Sequence, residues 1–224
     1  TLLASSAASD VYKRQLKYDN VDELVKAGVA LAKKAGKYVA LDIGPTGKLL
    51  KPMGDLEFER AVELFAEVVR AGKDGSDVAI IETMSDMYEL KAAVIAVKEN
   101  SDLPIITSMI FDESGRLLTG GDVKSAVAML EGLRVDAIGF NCGLGPKQMI
   151  PLVKELRECT SLPILVMPNA GLPESVDGKT VYNVSPDEFA QDMREIAKLG
   201  VSILGGCCGT TPVSYTHLTL PTTL

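Results

Sequence analysis

Short apolar runs alternate with helical segments along most of this chain, and this alternation limits the fold more than any other feature. The apolar runs predict buried strands at 38–42, 78–81, 104–111, 135–140, 163–167 and 201–204. Helical periodicity predicts helices at 21–36, 57–72, 86–100, 122–132, 146–159 and 185–200. Units of one strand and one helix that repeat about every 30 residues indicate a parallel sheet.

Two parallel-sheet folds fit this pattern, a doubly wound sheet and a (β/α)8 barrel. No G-x-G-x-x-G sequence follows the first strand, which weakens the dinucleotide-binding form of the doubly wound sheet. A complete barrel has about 250 residues and eight strands, and six strands do not close one. We therefore predict an α/β fold, a (β/α)8 TIM-type barrel that is truncated to about six of its eight βα units.

Composition and charge exclude several classes of function. The formal net charge of the 224 residues is -7, which argues against non-specific binding to nucleic acid. No apolar run reaches the ~18 residues that a membrane span needs, and the first residues do not resemble a signal peptide. We expect a cytoplasmic protein that has neither nucleic acid nor a membrane as a partner.

Both ends of the sequence look unrelated to the repeating units. Residues 1–15 and 213–224 carry no periodicity that continues into the neighbouring segments, and they resemble translated adaptor sequence. We predict that both are foreign tails around an incomplete barrel domain at 16–212. The single histidine, His217, would then not belong to the natural protein.

Polar side chains and thiols follow the predicted strands at the point where each strand ends. In a parallel barrel these positions share the carboxyl-end rim, where active sites are built. The residues concerned are Asp42, Glu82, Asp112, Asn141, Cys142, Asn169, Cys207 and Cys208.

Three of the four cysteines are predicted to converge at this rim. The glycines around Cys207 and Cys208 permit backbone conformations that turn both sulfurs to one side, and Cys142 follows a strand nearby. Three thiolates are natural Zn²⁺ ligands. Cys159 ends a helix that should lie at the opposite rim, so we expect it to be a packing residue.

A zinc ion with three cysteine ligands leaves one position open, which is typical of a catalytic site. The complex carries net negative charge and is a poor Lewis acid. It is better suited to holding a substrate thiol as a nucleophilic thiolate. The expected reaction is attack by that thiolate on an electrophilic carbon.

The sequence resembles the homocysteine S-methyltransferase family. The resemblance lies in "GFNCGLGP" (139–146) and "GGCCGTTP" (205–212), and it covers about residues 17–212. The stretches "LDIGPTG" (41–47), "IIETMSDMYELKAA" (80–93) and "VMPNAGLP" (166–173) look most like the branch found in cobalamin-dependent methionine synthase.

This resemblance implies zinc-dependent methyl transfer to homocysteine, which gives methionine. It implies that Cys142, Cys207 and Cys208 are the zinc ligands. Methylcobalamin and methyltetrahydrofolate would then belong to folate and cobalamin modules elsewhere in the parent chain.

The resemblance also implies substrate contacts. Glu82 matches a glutamate that holds the amino group of homocysteine, although a solvated or helix-capping glutamate is the simpler alternative. Asn141 and Asn169 either orient the substrate or hold the cysteine loops. Asp42 either contacts the substrate or anchors its own loop.

Other functions remain open from the sequence. A homocysteine methyltransferase that uses betaine or S-methylmethionine would share the zinc and the acceptor but not the methyl donor. An iron–sulfur protein would normally need a fourth cysteine, often in a C-x-x-C pair, which this chain lacks. A non-catalytic zinc-binding fragment is the third alternative.

Overall fold

The computed structural model describes residues 4–6 and 20–219, in which helices alternate with strands. The described strands are β1 Ala4–Ser6, β2 Val39–Ile43, β3 Val78–Met84, β4 Ile105–Met109, β5 Ala137–Asn141, β6 Ile164–Met167, β7 Pro173–Val176, β8 Lys179–Tyr182 and β9 Ile203–Leu204. The described helices are α1 Val21–Lys33, α2 Phe58–Gly72, α3 Met87–Asn100, α4 Val123–Gly132, α5 Pro146–Cys159, α6 Pro186–Ala197 and α7 Pro212–Thr219.

The chain divides into two compact units, and the first comprises residues 1–108 and 129–136. In this unit β1, β2 and β3 pair in parallel, with Ala40 opposite Val78. Every residue of β2 is buried, and α2 packs against α3. A strand that is buried on both faces reads as a continuous apolar run, which is why β2 was visible in the sequence.

The second unit comprises residues 109–128 and 137–224. Here β5, β6 and β9 pair in parallel, with Ile138 opposite Ile164 and Val166 opposite Leu204. Every residue of β5 is buried. Parallel strands joined by helices in both units confirm the predicted α/β class.

The helix α6 begins as its sequence indicates. Ser185 is the residue before the first turn, and its side chain accepts a hydrogen bond from the backbone N–H of Glu188. Pro186 occupies the first helical position, where its missing N–H costs nothing. Local capping chemistry therefore fixes this boundary.

Four described elements were not among the predicted strands and helices. The strands β7 and β8 form an antiparallel hairpin. The other two, β1 and α7, lie in the segments predicted to be foreign tails, and Ser214 of α7 is buried. Residues 1–3, 7–19 and 220–224 lie outside the described residues. The foreign origin of both tails stays a prediction.

No helix within residues 20–219 combines the length and the apolar character that crossing a bilayer requires.

A buried carboxylate fixes the loop after β2. Glu89, in the first turn of α3, is only 3% exposed and accepts hydrogen bonds from the backbone N–H of Thr46, at 2.7 Å, and from its hydroxyl. Burial raises the pKa of Glu89 above the ordinary 4.5, the Thr46 hydrogen bonds oppose that shift, and the charge of Asp86 adds to it. Folding therefore shifts Glu89 towards its protonated form relative to the unfolded chain.

We expect Glu89→Gln to change how stability depends on pH. A raised folded-state pKa means that the wild-type carboxyl contributes stability below its unfolded pKa, and that this contribution is lost as pH rises through the folded pKa. Glutamine keeps an acceptor oxygen for Thr46 but cannot ionise. Urea unfolding between about pH 5 and about pH 8 should show the wild type losing stability relative to Glu89→Gln as pH rises. Parallel stability curves for the two proteins would contradict this account.

Candidate metal centre

Three cysteine side chains meet in the second unit, at the carboxyl ends of two parallel strands. Cys142 follows β5 directly, and Cys207 and Cys208 follow β9 after two glycines. The Cys142 and Cys208 sulfurs are 3.8 Å apart, and those of Cys207 and Cys208 are 4.0 Å apart. All three sulfurs lie within 4.8 Å of one another.

This spacing suits a tetrahedral metal ion. With Zn–S bonds of about 2.3 Å, tetrahedral angles place two sulfur ligands about 3.8 Å apart. The separations of 3.8 and 4.0 Å match that requirement without rearrangement. Three soft sulfur donors select zinc or another thiophilic ion over magnesium or calcium. The residues present therefore fit a zinc site with one position left for an outside ligand.

The backbone turns sharply to present the Cys142 thiol. Cys142 and Gly143 both have positive φ, at 60° and 68°. The Cys142 N–H donates to the Met167 carbonyl at 3.1 Å, and its own carbonyl accepts from Leu144 N at 2.7 Å. A non-glycine residue in the left-handed region is strained, and such strain persists only where surrounding contacts impose it.

The loop that carries Cys207 and Cys208 is held by backbone hydrogen bonds at both residues. Cys207 N donates to the Pro168 carbonyl at 2.8 Å, and the Cys208 carbonyl accepts from Ala170 N at 2.9 Å. The Thr210 hydroxyl also donates to the Cys207 carbonyl, at 2.6 Å. The bonds to Pro168 and Ala170 connect the loop after β9 to the loop after β6. The positions of the two sulfurs therefore do not depend on β9 alone.

The two asparagines predicted at this rim contact the cysteines. Asn141 is fully buried, and its Nδ2 lies 3.9 Å from the Cys207 sulfur. Asn169 Oδ1 accepts from Cys208 N at 3.0 Å, and Asn169 helps to lower the pKa of Cys142. These contacts favour the second of the two predicted roles, support of the cysteine loops.

The three thiols do not ionise independently. The hydrogen bond from Cys207 lowers the pKa of Cys142 to about 5, against burial and with further help from Gly143 N–H, Cys208 and Asn169. The same hydrogen bond, with burial and the charges of Cys142 and Cys208, raises the pKa of Cys207. Of this pair, Cys142 is therefore the thiol that ionises first.

Two tyrosines also reach the cysteine loop, and the sequence analysis missed both. The Tyr215 hydroxyl of α7 donates to the Gly206 carbonyl at 2.9 Å and accepts from Gly206 N at 3.2 Å. Tyr182, at the end of β8, packs against Gly209, the residue after Cys208. The signal that was available for Tyr182 was the Asp177–Gly178 pair, a typical two-residue hairpin turn between strands.

The other two predicted site residues, Asp42 and Glu82, belong to the first unit. Asp42 is buried near the end of β2. Glu82 is half-buried and lies within β3, which extends to Met84 and does not end before Glu82 as predicted. The next residue, Thr83, has φ of 65°, so the strand is kinked directly after Glu82. Their proposed contacts with substrate stay predictions.

Cys159 is half-buried at the last position of α5. It is not part of the cysteine cluster found among the described residues. Its packing role stays a prediction.

Comparison with known proteins gives a family match. A family model described as homocysteine S-methyltransferase matches residues 4–218. Methionine synthases of Mycobacterium leprae and Mycobacterium tuberculosis are 32% identical over 210 residues, which is 87% of this chain. The chain spans only 17% and 18% of their lengths.

Solved structures share the fold. The metallated form of the Escherichia coli homocysteine methyltransferase MmuM is 22% identical, with a TM-score of 0.78 over 96% of this chain and 78% of that one. The apo form gives a TM-score of 0.75 at 23% identity. This likeness and the repeated βα units confirm the predicted fold class, a truncated (β/α)8 TIM-type barrel.

Loss of any one of the three clustered thiols should remove the metal. We expect Cys142→Ala, Cys207→Ala and Cys208→Ala each to bind less than about a tenth of the zinc that the wild type retains, because all three sulfurs define one site. Cys159→Ala is the matched control and should keep its zinc. Zinc in dialysed, folded protein is measured by elemental analysis. Zinc loss in Cys159→Ala alone would refute the ligand set.

Proposed function

The chain belongs to the homocysteine S-methyltransferase family, and on that premise we propose that it binds homocysteine and presents its sulfur for methylation. The product of that transfer is methionine. We further propose that the chain is the homocysteine-binding module of a cobalamin-dependent methionine synthase. The relatives that are 32% identical to it are methionine synthases, which supports this branch over the enzymes that use betaine or S-methylmethionine.

The observation that carries the proposal is the sulfur cluster. Cys142, Cys207 and Cys208 offer three soft donors at separations that suit one tetrahedral ion. Bound Zn²⁺ would supply a fourth position that holds the homocysteine sulfur as a thiolate while leaving it nucleophilic. The net negative charge of three thiolates favours this role over the polarisation of a carbonyl.

The transfer itself needs little from the protein beyond positioning. The homocysteine thiol releases its proton when it is bound as a thiolate. Its sulfur then forms a bond to the methyl carbon while the bond from that carbon to the donor breaks, and the electron pair leaves with the donor. Asn141 and Asn169, which contact the cysteines, keep the three protein sulfurs in place during this exchange.

We propose that Glu82 binds the amino group of homocysteine. A carboxylate that accepts a hydrogen bond from an ammonium group gives a charge-assisted contact. The kink at Thr83 changes the direction of the backbone directly after Glu82 and so affects the position of the Glu82 side chain. Asp42 is proposed to make a further polar contact with the substrate or to anchor its loop.

The methyl donor belongs to the parent protein. Since the chain spans less than a fifth of the methionine synthases that it matches, we propose that the other modules bind methylcobalamin and methyltetrahydrofolate. We also propose a cytoplasmic location for that parent protein.

Homocysteine should become a ligand of the bound zinc. We expect the X-ray absorption spectrum of the zinc-loaded chain to change from three sulfur neighbours to four when homocysteine is added. Homoserine, which has a hydroxyl in place of the thiol, is the matched control and should add no sulfur. An unchanged zinc spectrum at saturating homocysteine would reject the proposed function and leave a non-catalytic zinc site.

Glu82→Gln should weaken homocysteine binding without removing zinc. Loss of one charge-assisted hydrogen bond costs about 1.5–3 kcal/mol, which corresponds to an increase of about 10- to 150-fold in the dissociation constant. Titration calorimetry measures this change. The matched control is Glu113→Gln, a substitution of an exposed glutamate.

A substrate analogue separates this role from a structural one. 4-Mercaptobutanoate lacks the amino group and should bind the wild type and Glu82→Gln equally. If homocysteine also binds both proteins equally, Glu82 does not hold the amino group.

A further inference from the structure

The hairpin formed by β7 and β8 contributes little to the hydrophobic core. All four residues of β7 are exposed, and in β8 only Tyr182 is partly buried. Asp177 and Gly178 join the two strands with positive φ at both positions, 50° and 73°, as a tight two-residue turn requires. Tyr182 is therefore the one residue of β8 that is partly shielded from solvent. The contacts of Tyr182 indicate the role of the hairpin.

Tyr182 packs directly on the loop that carries two of the cysteines. A Cβ atom on Gly209 would lie 2.4 Å from Cγ and 2.6 Å from Cβ of Tyr182, distances that real side chains do not tolerate. Gly209 also has φ of 78°. Glycine is thus required next to Cys208 both for the turn and for the approach of the ring.

The base of the hairpin and the cysteine loop share one anchor. Ala170 donates its N–H to the Cys208 carbonyl at 2.9 Å, and its carbonyl accepts from Val184 N at 3.1 Å. Val184 follows the hairpin, so Ala170 connects the two segments on either side of Tyr182 and Cys208. The cysteine loop and the segment after the hairpin are therefore both held by hydrogen bonds to one residue.

The Tyr182 side chain lies beside the residue that follows Cys208. Burial raises the pKa of Tyr182, and the neighbouring thiols of Cys208, Cys142 and Cys207 raise it further. A hydroxyl in this place donates to a thiolate, since a metal-bound thiolate has no proton to give.

We propose that Tyr182 is a positioning residue of the metal centre, which donates a hydrogen bond to the Cys208 sulfur and covers one side of the site with its ring. This inference rests on the proposed zinc site. Hydrogen bonds to ligand atoms orient them and remove some of their charge. In a site with three thiolates that charge is the main obstacle to holding a fourth sulfur, so Tyr182 serves the binding of substrate as well as of metal.

Metal affinity and a cobalt spectrum test the role of the hydroxyl. Tyr182→Phe keeps the ring on Gly209 and removes only the oxygen. We expect its zinc affinity, measured by competition with a chelator, to fall about 10-fold. With Co²⁺ in place of Zn²⁺, the sulfur-to-cobalt charge-transfer band should move to longer wavelength, because a thiolate without its hydrogen bond gives up electron density more easily.

Controls separate this effect from a change in folding. Tyr38→Phe alters a tyrosine that is 62% exposed and should match the wild type in both measurements. Tyr182→Leu removes the ring as well and should show the same band shift with a larger loss of affinity. Far-ultraviolet circular dichroism verifies that each variant is folded.

The outcomes are distinguishable. If folded Tyr182→Phe binds zinc with the wild-type affinity and shows the wild-type cobalt band, Tyr182 does not have the proposed role. The zinc site itself would then stand. Failure of the wild type to bind zinc would overturn the metal centre together with the role of Tyr182.

Discussion

Three thiolates held within 4.8 Å of one another repel each other, and the contacts of the second unit hold them together against that repulsion. Two unit charges at 4 Å cost about 4 kcal/mol at an effective dielectric constant of 20. Three such pairs approach the whole stability of a domain, about 5–15 kcal/mol. The cluster of Cys142, Cys207 and Cys208 must therefore keep protons or take up a cation, and its geometry suits a cation.

The rest of the unit supplies what the cluster needs to stay assembled. Parallel pairing puts Asn141 opposite Met167, so Cys142 emerges beside the loop after β6, to which the loop of Cys207 and Cys208 is also bonded. Backbone N–H groups and side-chain amides donate toward the sulfurs or fix their loops. The strained φ of Cys142 persists because these contacts determine it from several directions.

Much of the architecture was predictable because buried strands appear in the sequence as runs of apolar residues. β2 and β5 are buried at every position, so they read as apolar runs, and Ser185 and Pro186 mark the start of α6. The hairpin left no such record, since exposed strands need no apolar periodicity. The contact of Glu89 was not predictable from the sequence either. Nothing near Glu89 in the sequence indicates that its carboxylate would accept hydrogen bonds from Thr46, which is far away in the chain.

The sequence by itself determined the order of the six predicted strands and six predicted helices, the family, and the presence of thiols and amides after the strands. These depend on local periodicity and on residue types at particular positions. Only the tertiary structure decided the sulfur separations, the contact of Tyr182 with the cysteine loop, and the burial of Glu89. Such distances follow from strand register and loop dihedral angles between segments remote in sequence, which no local pattern encodes.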